Sequence, residues 1–460
     1  TIFRRLPKRT SDIMKKLIVG WVVFLSATLL SVAQEQQSLK VTLEQAVDFA
    51  LEHNIQMKNA AQDRRDAQAQ KWATIATGLP QISGSVNYQN QLEQPVAQIP
   101  AQFFGGEPGT FEEVVFGQPQ TFNAGVSWNQ LLFDGSYIVG VQATKTFLEN
   151  SENLYNKTSL EVRAAVVEAY ANALMAEKSA DLLSKNVAQV ERNLFEAQAL
   201  VENGLGEQET VDQLQITYGT LKSNEKNAYR LARISHYMLN ALLGREINAP
   251  LELLDSLEAL VGVEMVSAMP EDFEFEQNID YLMVDNLTKK TALELKLAKS
   301  KALPTLSASL NLGTNAFGQR FDFFESGKEY FNTAILGVNL QVPIFSSLLR
   351  SANTQRAKIA DIKAQNTKRD TERMLSVQFE QLSSAFALSK EQFLTAKDNL
   401  DLAQRIADKN EVKFKEGVAS SFDLRQAQLQ LYQTQQEYLS SMVRVINTHT
   451  ELANFLNDTL

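Results

Sequence analysis

Histidine is the side chain best suited to bind metal or move protons near neutral pH, and the chain has three, His53, His236 and His449. They lie far apart, without the HxxxH or HxxEH spacing that sets two imidazoles on one helix face, so no metal centre is expected. Cysteine is absent, which excludes disulfides, thiolate ligands, cysteine nucleophiles and an acylated lipoprotein cysteine. Gly313-Thr314-Asn315-Ala316-Phe317-Gly318-Gln319 has the glycine spacing of a phosphate loop but lacks its lysine, and it reads as a loop after a strand. No GxSxG elbow occurs, and acidic pairs are scattered as on any charged helix. No catalytic residue, cofactor or enzymatic activity is expected.

The balance of 44 Lys and Arg against 54 Asp and Glu gives a formal net charge of -10. No basic cluster is large enough to grip phosphates, so nucleic acid is not an expected partner. Met14-Lys15-Lys16, the apolar run from Leu17 to Leu30 and then Ser31-Val32-Ala33 have the order of a secretory signal. Residues 14–33 are therefore expected to be removed after Ala33, with residues 1–13 belonging to upstream sequence. Beyond that point no apolar run reaches the roughly 18 residues of a membrane-spanning helix. An exported chain of this kind is periplasmic, extracellular, or inserted in an outer membrane by strands.

The elements that would position any site are written twice. His53-Asn54-Ile55-Gln56 resembles Gln277-Asn278-Ile279-Asp280, and Leu79-Pro80-Gln81-Ile82-Ser83 resembles Leu303-Pro304-Thr305-Leu306-Ser307, both at an offset of 224. Gly125 through Phe133 matches Gly337 through Phe345 at an offset of 212, and Gly204 through Leu243 matches Gly417 through Leu456 at 213. The length difference falls in segments 91–119 and 314–330, which read as loops. Phe133 to Gly204 keeps the length of Phe345 to Gly417 to within one residue, as a stiff rod would. The expected organisation is a first repeat over 34–244, an inter-repeat segment over 245–278 and a second repeat over 279–460.

Strands are expected near 81–90, 121–131, 305–313 and 333–343, where apolar and small polar residues alternate with period two. Ile82, Val86 and Tyr88 oppose Ser83, Ser85 and Asn87, and Leu336, Val338 and Leu340 oppose Asn339 and Gln341. A soluble sandwich and a membrane barrel both fit; segments of about nine residues and an export signal favour the barrel. Long helices are expected over 137–202, 210–243, 347–415 and 422–456. From Asp423 onward, Leu424, Leu431, Tyr438, Val445 and Leu452 recur every seven residues, with Met442, His449 and Leu456 as a second row. A helix of roughly 65 residues is about 100 Å long, beyond any compact core. Solvated coiled-coil arms and a helical barrel fit these thin seams equally. Thr42-Leu43-Glu44-Gln45 reads as a capping box, and Gly204 and Gly417 as helix stops at tight reversals.

Four strands in lipid cannot leave an edge open, because each unpaired backbone group there costs several kcal/mol. Closure then needs two, three or four copies.

The chain resembles the TolC family of outer-membrane efflux proteins from Val41 to Asn457. The resemblance is carried by Val41-Thr42-Leu43-Glu44-Gln45-Ala46-Val47, the Leu-Pro-x-Ile/Leu-Ser openings of strands one and three, Trp128 through Gly135, Val342-Pro343-Ile344-Phe345, and Glu416 through Leu424. It implies a mainly α fold with transmembrane β structure. In such a fold a homotrimer closes a 12-stranded β-barrel continuous with a periplasmic α-helical barrel about 100 Å long. It also implies an exit duct of a tripartite efflux pump or type I secretion system in the bacterial outer membrane, extending into the periplasm. Its partners would be outer-membrane lipid, a membrane-fusion adaptor and an inner-membrane transporter. Gly204, Leu205 and Gly206 with Gly417, Val418 and Ala419 match the adaptor-contact tips. Asp423 matches the first of two gate aspartates, Gln426 stands where the second would be, and Thr210 is grouped with them. An ordinary N-terminal helix position explains Asp423 equally well. Tyr88, Trp128, Phe133 and Phe345 are candidate interfacial aromatics, with strand-end packing as the alternative. A structural coiled-coil envelope protein or adhesin stalk remains the competing function, and segment 91–119 is a candidate plug or partner contact.

Overall fold

The computed structural model describes residues 38–262 and 273–457; the expected signal and upstream leader fall outside them. Chain order begins with β1 (Leu39–Val41), α1 (Leu43–His53), α2 (Ile55–Ala76), β2 (Gln81–Asn90), β3 (Val96–Pro100), β4 (Phe111–Val115) and β5 (Gln120–Asp134). It continues with α3 (Gly135–Glu202), α4 (Gln208–Leu242), β6 (Leu251–Leu253), α5 (Leu257–Leu260), α6 (Ile279–Ser300), β7 (Thr305–Gly318), β8 (Phe331–Gln341), α7 (Leu349–Lys415) and α8 (Ser421–Leu456). Among the described residues two compact units form, the first from 38–55, 162–262 and 386–450, the second from 56–161, 273–385 and 451–457.

In the first unit α1 opens on the capping box. The Thr42 hydroxyl accepts from the Gln45 amide at 3.3 Å, and the Gln45 side chain accepts from the Thr42 amide at 3.1 Å. Parallel β1 and β6 pair beside it. Buried Tyr170 sets its hydroxyl 2.9 Å from the Val41 carbonyl and 3.0 Å from the Asp255 carboxylate, which also accepts the Leu43 amide. The helices meet through thin seams. Val187, Val190 and Leu194 of α3 pack on Val211, Leu214 and Leu221 of α4, and Ala403 and Ala407 of α7 pack on Leu431 of α8. Tyr432 touches both seams, and burial pushes its hydroxyl pKa up to about 12. Polar contacts run alongside: Gln189 donates to Glu411 at 2.6 Å and Asn186 to Gln435 at 3.0 Å.

The second unit holds an antiparallel sheet in the order β2-β5-β7-β8. β5 extends to Asp134, past the expected end at 131, because a bulge between Leu131 and Phe133 breaks the alternation while the pairing to β7 continues. β7 extends to Gly318: Asn315, Ala316 and Phe317 pair with Asn123, Phe122 and Thr121, so all but the last residue of the segment with phosphate-loop spacing is strand rather than the expected loop. Segment 91–119, also expected as loop, contains the β3–β4 hairpin and a single 3-10 turn at Ala101–Phe104.

The duplication reappears in buried hydrogen bonds. In the first unit Asn54 donates its side-chain amide to the Leu242 carbonyl at 2.7 Å. In the second, Asn278 donates to the Phe455 carbonyl at 2.8 Å and caps α6, accepting from the Asp280 and Tyr281 amides. Both donors and both acceptors stand at equivalent repeat positions.

Strand and helix join differently in the two repeats. Asp134, the last residue of β5, accepts the Ser136 and Tyr137 amides at 2.6 and 3.1 Å and so caps α3 with no residue between strand and helix. Between β8 and α7 the chain instead passes through Ser347 and Leu348 at positive φ.

Candidate functional site

Directly paired residues on neighbouring strands share a face, so register converts the alternation into two surfaces. Ile82, Trp128, Leu310 and Leu336 form one lateral row, and Tyr88, Phe122 and Ala316 another on the same side. The opposite side carries Ser83-Ser127-Asn311-Ile335, Ser85-Gly125-Gly313-Thr333 and Asn87-Asn123-Asn315-Phe331. No side chain in these polar rows is charged. The Ser83 and Ser127 hydroxyls lie 2.7 Å apart. All ten residues of β2 are exposed, as are all but one of β8, and among the described residues each of these strands pairs on one side only.

The expected interfacial aromatics separate by position. Tyr88 lies toward the end of the sheet that bears the loops, while Trp128 and Phe133 lie toward the end where α3 begins. The bulge places Leu132 out of register, so Phe133 stands opposite Leu306 and joins the apolar side. Phe345 follows β8 and is 83% exposed.

In the first unit both tips end a helix in the same way. Gly204 (φ 71°) and Gly417 (φ 70°) adopt the left-handed conformation. Leu205 and Val418 donate their amides to the carbonyls of Leu200 and Lys413, each at 2.8 Å, while Gly204 and Gly417 donate to Val201 and Phe414. This is the Schellman arrangement, which a residue with a Cβ enters at a cost. Leu205 and Val418 are each 76% exposed; Gly206 is exposed and Ala419 half-buried. The Ser421 hydroxyl of the second tip donates to Gln213 of α4 at 3.2 Å, joining the two reversals.

The gate trio is not equivalent. Asp423 accepts from the Ser420 hydroxyl at 2.7 Å and amide at 3.1 Å, and donates its own amide to that hydroxyl at 3.3 Å, a capping box that opens α8. Those bonds from Ser420 hold the Asp423 carboxyl below the ordinary carboxylate range. Gln426 is exposed one turn further on, and Thr210 is half-buried with its amide donated to the Glu207 carbonyl. The first tip has no matching side-chain cap.

Each histidine has a local neighbour. His53 stacks on Phe49 at 4.1 Å, His236 sits 2.6 Å from Glu177, and the His449 ring lies 5.4 Å from Phe386. Sequence reasoning missed an aromatic cluster beside the sheet, in which Phe321, Phe323 and Phe324 pack on Tyr88 and Phe122. The signal was the Phe321-Asp322-Phe323-Phe324 run, read as loop.

A family model described as outer membrane efflux protein matches residues 46–245 and 290–458. Outer membrane protein TolC of Vibrio cholerae is 26% identical over 247 residues, 53% of this chain and 55% of that protein; the chain thus spans about half the length of the curated relative it matches. Among solved structures, the Campylobacter jejuni CmeC outer membrane channel superposes with TM-score 0.70 at 17% identity, covering 90% of this chain and 85% of that one. The outer membrane protein VceC of Vibrio cholerae gives TM-score 0.68 at 14% identity, covering 90% and 96%. The open state of the Neisseria gonorrhoeae MtrE outer membrane channel gives 0.68 at 16%, covering 90% and 89%.

Proposed function

The chain belongs to the outer membrane efflux protein family and is an outer-membrane protein, and on that premise we propose that it is a passive exit duct of a tripartite efflux pump or type I secretion system. The observation that carries the reading is the sheet with one apolar face, one neutral hydrogen-bonding face and two edges that are unpaired among the described residues. In hydrocarbon those edges are untenable, whereas joining them to further copies satisfies every backbone group. Three copies would close a 12-stranded barrel with lipid outside and water inside, a homotrimer wide enough to conduct. The two repeats, 34–244 and 279–460 about the inter-repeat segment 245–278, supply two strands each to that wall; their matching Asn54 and Asn278 bonds support the division.

The long helices, joined by thin seams and polar contacts, suit a helical barrel continuous with the strands. The exposed tips at Gly204, Leu205, Gly206, Gly417, Val418 and Ala419 offer a membrane-fusion adaptor two similar apolar reversals, and energy comes from an inner-membrane transporter. Asp423, Gln426 and Thr210 form the gate region, where Asp423 serves first as a helix cap. Purified protein should migrate as a heat-modifiable trimer and give discrete conductance steps in planar bilayers. A monomer that leaves bilayers silent overturns the proposal.

A further inference from the structure

The loop between β7 and β8 does not hang free from the sheet. Phe323 is fully buried, its ring 5.6 Å from Phe122 and 5.9 Å from Tyr88. Lys328 lies over that ring and pairs with Asp322 at 2.5 Å, Arg320 pairs with Glu325, and the Tyr330 hydroxyl donates to the Phe323 carbonyl. Tyr88 and Phe122 belong to the apolar face, so the loop folds onto that face and away from the neutral one. Its two remaining rings stay in the open, Phe321 at 57% and Phe324 at 75% exposure.

A second aromatic level is set by the bulge that turns Phe133 onto the same face beside Leu306. Ala316, which pairs with Phe122, lies ten residues along β7 from Leu306. At about 3.3 Å per residue and a strand tilt of about 40°, the two levels are separated by about 25 Å of height, the apolar band of an outer-membrane barrel. We infer that loop 319–330 is an outer collar: it docks on the lipid side of the wall, and Phe321 and Phe324 insert at the headgroup level of the outer leaflet with Tyr88. The inference rests on the barrel reading above. Girdles of aromatic residues flank the apolar band of outer-membrane barrels, and each of the loop's ion pairs named here is satisfied within the loop.

The test is Phe324→Trp in a Trp72→Phe/Trp128→Phe background, reconstituted in phosphatidylcholine vesicles brominated either near the glycerol end of the acyl chains or at mid-chain. Fluorescence, read as the difference from the background protein, should fall at least about twofold with the shallow bromines and less with the deep ones. Phe321→Trp, read in the same way, guards against a local failure to fold. Unquenched fluorescence in protein that still conducts overturns the collar and leaves the duct, as does stronger quenching by the deep bromines. Unquenched fluorescence in protein that neither inserts nor conducts overturns both.

Discussion

Leu336 and Ile335 are chain neighbours on β8 that point to opposite faces, and both are more than half exposed in one chain. Leu336 pairs with Leu310, four residues from Leu306 and six from Ala316, which sets it near the middle of the apolar band. Arginine there should cost about 2–4 kcal/mol per chain, whereas the same residue on the lumen side tunes selectivity at little cost to folding. At about 1.4 kcal/mol per tenfold, Leu336→Arg lowers the folded-to-unfolded ratio roughly 30- to 700-fold per chain, and the proposed trimer would bear it in each of its copies. Ile335→Arg adds a cation to the Ser83-Ser127-Asn311 row and should fold nearly as the parent does. Urea titration of folding into vesicles, followed by heat-modifiable migration, measures the first effect. The reversal potential in a salt gradient measures the second, which should move toward anion preference. Equal folding costs for the two variants, or a selectivity change from Leu336→Arg alone, would refute the assignment of the faces.

Asn278→Ala removes the cap of α6 and strands the Phe455 carbonyl, a loss of about 2–4 kcal/mol; faster hydrogen exchange at the Asp280 and Tyr281 amides reports it, and unchanged rates argue against the buried bond. Gly417→Ala forces a Cβ into the left-handed region at a cost of about 1–2 kcal/mol, seen as increased proteolysis at that tip. The Asp423 carboxyl is held below its ordinary value by Ser420, so its contribution is full above the unfolded carboxylate pKa of about 4 and is lost as pH falls through the lower folded value. Exchange at the start of α8 should therefore rise on acidification through that range, and Asp423→Asn should flatten the response.

The strands were legible because small polar and apolar residues alternate wherever one face meets lipid or packing and the other meets water. Legibility stopped where geometry broke the alternation. The extra residue at Leu132 put Phe133 out of phase, so the strand was expected to end at 131 although its pairing runs on to Asp134. At Thr314-Asn315-Ala316 the strand is held by backbone pairing to β5, which leaves no mark on side-chain type. The hairpin within 91–119 has short strands, the first of which ends in Pro100, composition that signals loop. The four longest helices were legible from thin apolar rows without internal proline, the last of them from a seven-residue seam, whereas α2 and α6 were not expected, and the left-handed Ser347 and Leu348 delay α7 to Leu349. The Thr42 capping box shows in sequence, while the reciprocal Ser420–Asp423 bond competes with any reading of Asp423 as a free charge. The aromatic cluster on Tyr88 and Phe122 joins residues far apart in sequence, and no periodicity announces such a contact.

At Asp134 the strand is clamped directly to its helix, whereas between Gln341 and Leu349 seven residues intervene, two of them in the left-handed region. The first junction holds strand and helix together through side-chain-to-backbone bonds, whereas the second is a linker with backbone dihedrals of its own. The doubled architecture is thus uneven at its joints, one clamped and one drawn out through a longer linker in each chain.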